Sequence, residues 1–554
     1  MKLADIFQLA LMLALVPVCY GTEKDKAPKP VRDIAITNLS APSTCKQGDT
    51  VPIIISFSNQ GTRRETFSVI LTEDASGKEI ASKEVALAKG WKTESDAFAD
   101  LIFAGESPGV QQFGNYVSSG DINNDGYDDF LTTAPYFENL KGRAYLYYGG
   151  KEMDNFPDIT FTGEYEGEAL GVGNCLGDIN GDNYLDIILG ACGYNSGHGR
   201  IHIYYGGPDM DSNPDITIIG KSTGAWFGRR IEAYDIDRDG YDDVLVVATQ
   251  YNNNTGRAYL FYGGNPFDTT ADVVFDGENP NDRFGRQATM GPDVNGDGYG
   301  EILIGARGWP GDKGQGRAYL YLGNTPERMD SICDIAFTGE EVGDQLGSSQ
   351  CICDIDKDGF ADILVGARFA ANNKGRVYLY WGKEGLDGGQ PDLIMEGEYQ
   401  SDMGGDDIVC GNLNGDVYED ILIGAYNYPS HTTRRGRVYV FHGNTKTTID
   451  TVYDIVFTGE KDLNRFGLNV AIGDANGDGF NDAIVGAYGY NNLQGRAYLY
   501  YGPFSNTENI TFNWDTTTSP GTHTLKASIA PIAGEEDVAD NTMTVTVEVK
   551  ERQQ

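Results

Sequence analysis

Hydrophobic and polar residues follow one another along most of this chain in short runs that recur in a fixed order. A continuous apolar run such as ILIGA (302–306) or ILVGA (363–367) leads to a glycine-led alternating segment, GRAYLYYGG at 142–150 and six relatives, and then to a phrase like PDITFTGE (157–164). Runs this short, rich in β-branched and aromatic residues and bounded by Gly, Asn and Asp, predict strands. A Phe-Gly or equivalent pair opens each unit, as at Phe113-Gly114, Phe227-Gly228, Phe284-Gly285 and Phe466-Gly467, and an acidic nonapeptide follows it.

The nonapeptide is DINNDGYDD at Asp121 and returns at Asp178, Asp235, Asp293, Asp354, Asn412 and Asp474, with spacings of 57, 57, 58, 61, 58 and 62 residues. Such a period signals an array of supersecondary units. Each unit supplies four strands: one into the acidic loop, one out of it, the GRAYLYY strand and the DITFTGE strand. Seven four-stranded sheets predict an all-β fold, a seven-bladed β-propeller. The segment DLIFAGE (100–106) precedes the first Phe-Gly, while the last GRAYLYYG (495–502) has no partner after it. The ring is therefore expected to close by pairing its two ends, which removes the exposed sheet edge.

Strand-like runs also flank the ring. SVILTE and KEVALA lie in 31–95; NITFNWDT, THTLKASIAP and TMTVTVEV lie in 504–550. Together they have about the length of one immunoglobulin-like β-sandwich, whereas each half alone would be poorly supplied with core. The expected organisation is a signal peptide at 1–21, a linker at 22–30, a sandwich divided between 31–95 and 504–550, and a propeller at 98–502 inserted into it. The apolar run from Ile6 to Val18 behind Lys2 is too short to cross a bilayer and reads as a secretory signal. Export to the cell surface or the medium follows, with no direct membrane insertion.

Composition narrows the partners. A formal charge of -40 in 554 residues argues against nucleic acid and anionic membranes, which need a basic surface. With 40% hydrophobic and 11% aromatic residues, the chain is nevertheless one that packs. Beyond Cys19 in the signal, seven cysteines at irregular spacing (Cys45, Cys175, Cys192, Cys333, Cys351, Cys353, Cys410) do not make a disulfide framework, and are read as small buried hydrophobes. The Cys351-x-Cys353 pair has no second pair to complete a zinc site.

The acidic loops carry the clearest chemistry. In the first, Asp121, Asn123, Asp125 and Asp129 present oxygens at positions 1, 3, 5 and 9, the Tyr127 carbonyl can add another, and Gly126 permits the bend. Flexible sets of hard oxygen donors suit Ca²⁺. The corresponding sets are Asp178, Asn180, Asp182, Tyr184 and Asp186; Asp235, Asp237, Asp239, Tyr241 and Asp243; Asp293, Asn295, Asp297, Tyr299 and Glu301; Asp354, Asp356, Asp358, Phe360 and Asp362; Asn412, Asn414, Asp416, Tyr418 and Asp420; and Asp474, Asn476, Asp478, Phe480 and Asp482. Up to seven Ca²⁺ ions are expected. The loop at 412–420 should be the weakest, with two carboxylates and Val417 where glycine is wanted.

Phe-Gly, then DxNxDGxxD, then an exit such as Thr133-Ala134-Pro135 or Gly305-Ala306, resembles the FG-GAP repeat of integrin α-subunit propellers. The flanks, DIAITNLSAPSTCKQGDTV and WDTTTSPGTHTLKA with DVADNTMTVTV, are similar to a cell-adhesion-related domain of bacteria. The resemblance implies adhesion or ligand binding outside the cell, to a protein or a glycan, without implying a β-subunit partner. Strand alternation puts the remaining loops on the face opposite the acidic ones: 135–142, 193–199, 250–256, 307–316 and 426–436, with Tyr165 and Trp226. Exposed aromatics there suit protein hot spots or sugar stacking, though any one ring could equally pack between blades. The alternative is an extracellular polysaccharide lyase or hydrolase, since propellers also host catalysis. Against it, His198, His202, His431, His442 and His523 fall in no recognisable nucleophile or zinc motif, and no catalytic residue or organic cofactor is expected.

Overall fold

Each acidic nonapeptide turns a hairpin. In the computed structural model, the first runs from Val117–Gly120 to Asp129–Ala134, and Arg143–Tyr147 and Ile159–Thr162 add to the second strand's far side to complete a four-stranded antiparallel sheet. The structure describes residues 34–41, 44–46, 50–59, 65–73, 78–87, 99–106, 109–208, 210–399, 403–405, 407–502, 504, 507–515, 521–529 and 542–550. The expected signal, the linker and Cys19 lie outside them. Among the described residues there are seven such sheets, and the seventh takes its fourth strand from the other end of the repeat array: Leu101–Ala104 pairs with Arg496–Tyr500.

Burial explains the apolar pattern of the second strand. An antiparallel sheet with one wet face would alternate, but in every sheet all six residues of this strand are buried, as in Glu301–Ala306 and Asp362–Ala367. Both of its faces are covered, because successive sheets stack on one another. One hydrophobic cluster fills each sheet-to-sheet interface, and the one between seventh and first contains Phe103, Phe130, Tyr147, Ile484 and Leu499. The fold is all-β and β-propeller-like, and it closes on itself.

Two recurrent contacts tie neighbouring sheets. The glycine of Phe-Gly approaches the adjacent sheet's backbone: Gly114 has φ +75°, and a Cβ there would sit 2.0 Å from the Arg496 carbonyl oxygen. The arginine that opens the third strand reaches the glutamate that ends the preceding sheet's fourth. Arg143–Glu106, Arg200–Glu164, Arg317–Glu278, Arg376–Glu340, Arg437–Glu398 and Arg496–Glu460 pair at 2.5 to 3.1 Å. Lys221 stands where the seventh such acid would be, and Arg257 pairs with Asp276 of its own sheet instead.

Outside the ring, strands from both ends of the chain pair. Thr50–Asn59 runs antiparallel to Thr507–Asp515 in a three-stranded sheet, and Glu65–Glu73 runs antiparallel to Gly521–Ile529 in a five-stranded one. The two sheets share one core, with Ile53, Ile55, Val69 and Leu71 from the first segment and Leu525, Ala527, Val547 and Val549 from the second.

One expectation fails. Cys353 and Cys410 are joined in a disulfide, and the Cys351 sulfur lies 3.4 Å from that of Cys410. The first strands of successive sheets run side by side around the axis, so residues 57 positions apart, one repeat, become neighbours. Among the described cysteines, Cys175 and Cys192 are buried thiols as read from the sequence.

Candidate metal loops and the opposite face

The acidic loops are built as nested Asx turns. In the first, Asp121 accepts from the Asp125 and Gly126 N–H groups at 3.0 and 2.8 Å, Asn123 from Asp125 at 2.9 Å, and Asp125 from Tyr127 at 3.0 Å. The loops at Asp178, Asp235, Asp354 and Asp474 repeat this pattern, and that at Asp293 keeps most of it. Turn chemistry alone accounts for these bonds. It does not account for like charges brought together: carboxylate oxygens of Asp235, Asp237 and Asp239, of Asp293, Asp297 and Glu301, and of Asp354, Asp356 and Asp362 lie within 4.8 Å of one another. Once ionised, oxygens at that separation repel unless a cation joins them, so these three loops fit a divalent ion; those at Asp121, Asp178 and Asp474 share the scaffold, with an amide oxygen at position 3 as in the Asp293 loop.

Position 9 has a second task. The Asp129 side chain is wholly buried and accepts from the Ile122 N–H at 2.9 Å and the Gly149 N–H at 2.9 Å, clamping the loop to the end of the third strand. Asp186, Asp243, Asp362, Asp420 and Asp482 do the same. Glu301 keeps only the contact to Val294, and its Oε1 is buried without a hydrogen-bond partner. Burial, only partly offset by the backbone donors, pushes these acids up, to about 7 at Asp129 and Asp186, about 8 at Asp243, Asp362 and Asp482, and about 9 at Glu301.

The sixth loop differs in kind. Asn412 Nδ2 donates to the Asp416 carbonyl, and Asn414 Nδ2 donates to Asp416 Oδ2 at 3.0 Å and to Asp420 Oδ1 at 3.3 Å. The first of the Asn414 bonds recurs in the fourth loop, where Asn295 Nδ2 donates to Asp297 Oδ2 at 3.0 Å; the bonds to the Asp416 carbonyl and to Asp420 are the sixth loop's own, and Val417 is 68% exposed at its bend. In the fifth loop a lysine takes part: Lys446 Nζ lies 2.6 Å from Asp358 Oδ2 and 3.7 Å from Asp356 Oδ2, reaching across from the next sheet. Sequence reasoning missed it because it lies 88 residues from Asp358. It also missed position 8, where Asp128 and Asp242 accept from the Asp474 and Asp178 N–H groups of the neighbouring loops. The doubled Asp-Asp at 128–129 and 242–243 was the available signal.

On the opposite face the aromatics divide into two groups. Phe137, Tyr194, Tyr251, Trp309, Tyr428 and Tyr490 cover the guanidinium groups of the third-strand arginines at 3.5 to 4.2 Å, so these rings belong to the scaffold. Tyr165 and Trp226 are 56% and 37% exposed. His202, buried against Thr217, is pushed down to about 4 by desolvation, and His198 bonds the Asn195 carbonyl in its own turn.

Sheets repeated around an axis, each opening on Phe-Gly and an acidic hairpin, define a repeat protein of the propeller type. The model of the FG-GAP repeat matches residues 113–147, 284–321, 346–380 and 466–500, and that of an FG-GAP-like repeat matches 178–246. The chain carries an integrin-α-like FG-GAP β-propeller. It is 32% identical to integrin alpha-PS2 of Drosophila melanogaster over 28% of its length and 12% of that protein's. It is 28% identical to integrin alpha-5 of Xenopus laevis over 41% and 22%, and 29% identical to integrin alpha-IIb of Mus musculus over 39% and 21%. The aligned part therefore spans less than a quarter of each relative. Among solved structures, the Dos1 propeller aligns over 84% of this chain and 95% of its own at 9% identity, with a TM-score of 0.39.

Proposed function

We propose that the protein is a secreted or cell-surface binding protein: a seven-bladed propeller, stabilised by Ca²⁺ in its acidic loops, held by an immunoglobulin-like sandwich, and engaging an extracellular protein or glycan through the face opposite those loops. The observation that carries this reading is the division of labour between the two ends of the sheets. Carboxylates converge at one end, while the other end leaves Tyr165, beside Tyr194 and Arg200, and Trp226 partly exposed. When bound, the ion would neutralise the loop carboxylates, with Asp, Asn and Glu oxygens as its ligands, and so tie each hairpin's first and second strands.

Probing the calcium-loaded protein on a glycan array and by pull-down from its native surface, then assaying each hit for turnover, tests the assignment. Binding without product supports adhesion. Cleavage of a bound glycan would support the alternative, a polysaccharide-acting enzyme, and calcium-independent failure to bind anything would defeat both.

Lys446 gives a prediction of its own. A tethered ammonium competes with an ion for Asp356 and Asp358, so Lys446→Met should tighten calcium binding at the fifth loop several-fold in a calorimetric titration. The same change should cost the chelated protein about 0.2–1 kcal/mol, the usual worth of a partly exposed ion pair. Unchanged calcium isotherms would show that the ammonium does not occupy the ion's place.

A further inference from the structure

Three sulfur atoms meet between the fifth and sixth sheets. Cys353 and Cys410 share a disulfide, and the sulfur of Cys351, a free thiol, lies 3.4 Å from that of Cys410. All three lie within 4.8 Å of one another, and no histidine or carboxylate joins the group among the described residues. The repeat explains how they come together. Cys351 and Cys353 stand two positions apart on the first strand of the fifth sheet, Leu346–Cys353, so their side chains leave the same face. Cys410 stands on the first strand of the sixth, Ile408–Gly411, which runs beside it around the axis. The Cα atoms of Cys353 and Cys410 are 6.4 Å apart, and the Cys410 sulfur faces both cysteines of the pair.

Joined sulfurs are not thiolates, so the group offers a metal one ligand at most. What it does supply is a nucleophile beside a disulfide. Exchange proceeds when a thiolate attacks one sulfur of a disulfide and displaces the other. Here the Cys351 sulfur, having given up its proton, bonds to Cys410 while the Cys353–Cys410 bond breaks. The departing electron pair stays on Cys353, which takes up a proton. One thiol and one disulfide stand on each side, so the step needs neither oxidant nor reductant. Burial pushes the Cys351 thiol up to about 12, with Glu419 and Asp407 adding to the shift, so thiolate is scarce at neutral pH and the step is slow. Contact offsets this scarcity, because the attacking sulfur is held at its target rather than meeting it by diffusion. Cys410 also lines an axial cavity of about 330 Å³, which leaves its side chain room to turn between partners.

We infer that this cluster is a thiol–disulfide exchange site, in which Cys351 and Cys353 alternate as the partner of Cys410. Both bonded forms cross-link the same two strands, so the fifth and sixth sheets stay covalently tied whichever is present. The forms differ in where the tie sits. Cys353 directly precedes Asp354, the first residue of the fifth acidic loop, whereas Cys351 stands two residues further away, about 7 Å along an extended strand. The Cys353–Cys410 bond therefore pins the base of that loop to the neighbouring sheet. The Cys351–Cys410 bond releases the base and leaves a free thiol beside Asp354.

The test holds the full, folded chain at pH 8.5 for several hours and stops exchange at pH 4, where thiolate is lost. The protein is then unfolded in acidic denaturant and its free thiols are labelled with excess N-ethylmaleimide. Fragment ions of the peptide that contains both Cys351 and Cys353 report which of them carries the label. At least one-tenth of the label on that peptide should fall on Cys353, the mark of the Cys351–Cys410 form, and the rest on Cys351. In Cys351→Ser the label on Cys353 should vanish, because no alternative partner remains. Label that persists there would mark an unformed disulfide and overturn the inference. Cys353→Ser should yield a Cys351–Cys410 bond and a melting midpoint close to the parent's. Label confined to Cys351 in the parent, or two free thiols at Cys351 and Cys410 in a folded Cys353→Ser chain, would make Cys353–Cys410 a fixed structural link. Should Cys353→Ser fail to fold, the parent's distribution of label decides alone.

Discussion

Chelating calcium from the purified protein is expected to lower its melting midpoint by roughly 10–15 °C. Extracellular calcium modules bind with dissociation constants near 10⁻⁴ M, so at about 2 mM free ion each occupied loop adds roughly 1.8 kcal/mol by mass action. Six loops, omitting 412–420, which has two carboxylates and whose Asn412 and Asn414 amides donate to the Asp416 carbonyl and to Asp420, would together contribute roughly 11 kcal/mol. Spread over an unfolding entropy of about 2.1 cal/mol/K per residue for about 400 residues, that corresponds to the stated shift. The pH dependence supplies a check on mechanism. In the chelated protein the ninth-position acids are raised above their ordinary range, to about 7–9 in six of the loops. Between about pH 4 and 8 the folded state therefore binds more protons than the unfolded one, and stability falls as pH rises. The metal-free protein should melt higher at pH 5 than at pH 8. Calcium, which needs the ionised carboxylates, should reverse that slope, because its binding weakens as they take up protons. A midpoint indifferent to chelator at pH 8 would remove the ion from the account.

Much of this architecture was legible before any coordinates. The strands, their order within a unit, and the return of Leu101–Ala104 to the last sheet follow from where apolar runs and glycines stand, since those positions report burial and bending that are local. What stayed hidden was contact between copies. Arg143 reads as part of an alternating strand and Glu106 as the end of another; that they meet depends on how sheets stack. The Cys353–Cys410 bond and the Cys351 thiol beside it were hidden for the same reason. A repeat converts a separation of one period into adjacency, so the informative comparison is between equivalent positions of successive units rather than along the chain. Lys446 escapes even that comparison, because the fourth unit, whose loop has the same length, carries Pro326 at its position.

Phe103→Ala is expected to be among the most damaging single substitutions in the propeller, because Phe103 lies where the ring is sealed. Its ring is fully buried, 4.9 Å from that of Phe130 and 4.6 Å from that of Tyr147, so a residue of the seventh sheet packs directly on the first. Removing a buried phenylalanine costs about 3–5 kcal/mol, which in a unit of this size is roughly 4–6 °C. Phe161→Ala is the matched control. Phe161 holds the same place in the first sheet, is equally buried, and packs at a tilt against Tyr204 with ring centroids 4.6 Å apart, but its strand is continuous with the repeat on both sides. Both changes should lower the midpoint by similar amounts, whereas local opening should separate them. The strand Leu101–Ala104 reaches the ring from the amino-terminal side and is held to Arg496–Tyr500 by pairing and by the Asp100 carboxylate, which accepts from the Tyr501 N–H at 2.9 Å. In Phe103→Ala, amide exchange along 496–500 should accelerate while that along 143–147 stays slow, the pattern of a seam opening ahead of the ring. A near-neutral Phe103→Ala beside a costly Phe161→Ala would mean that residues 101–104 do not close the ring in solution.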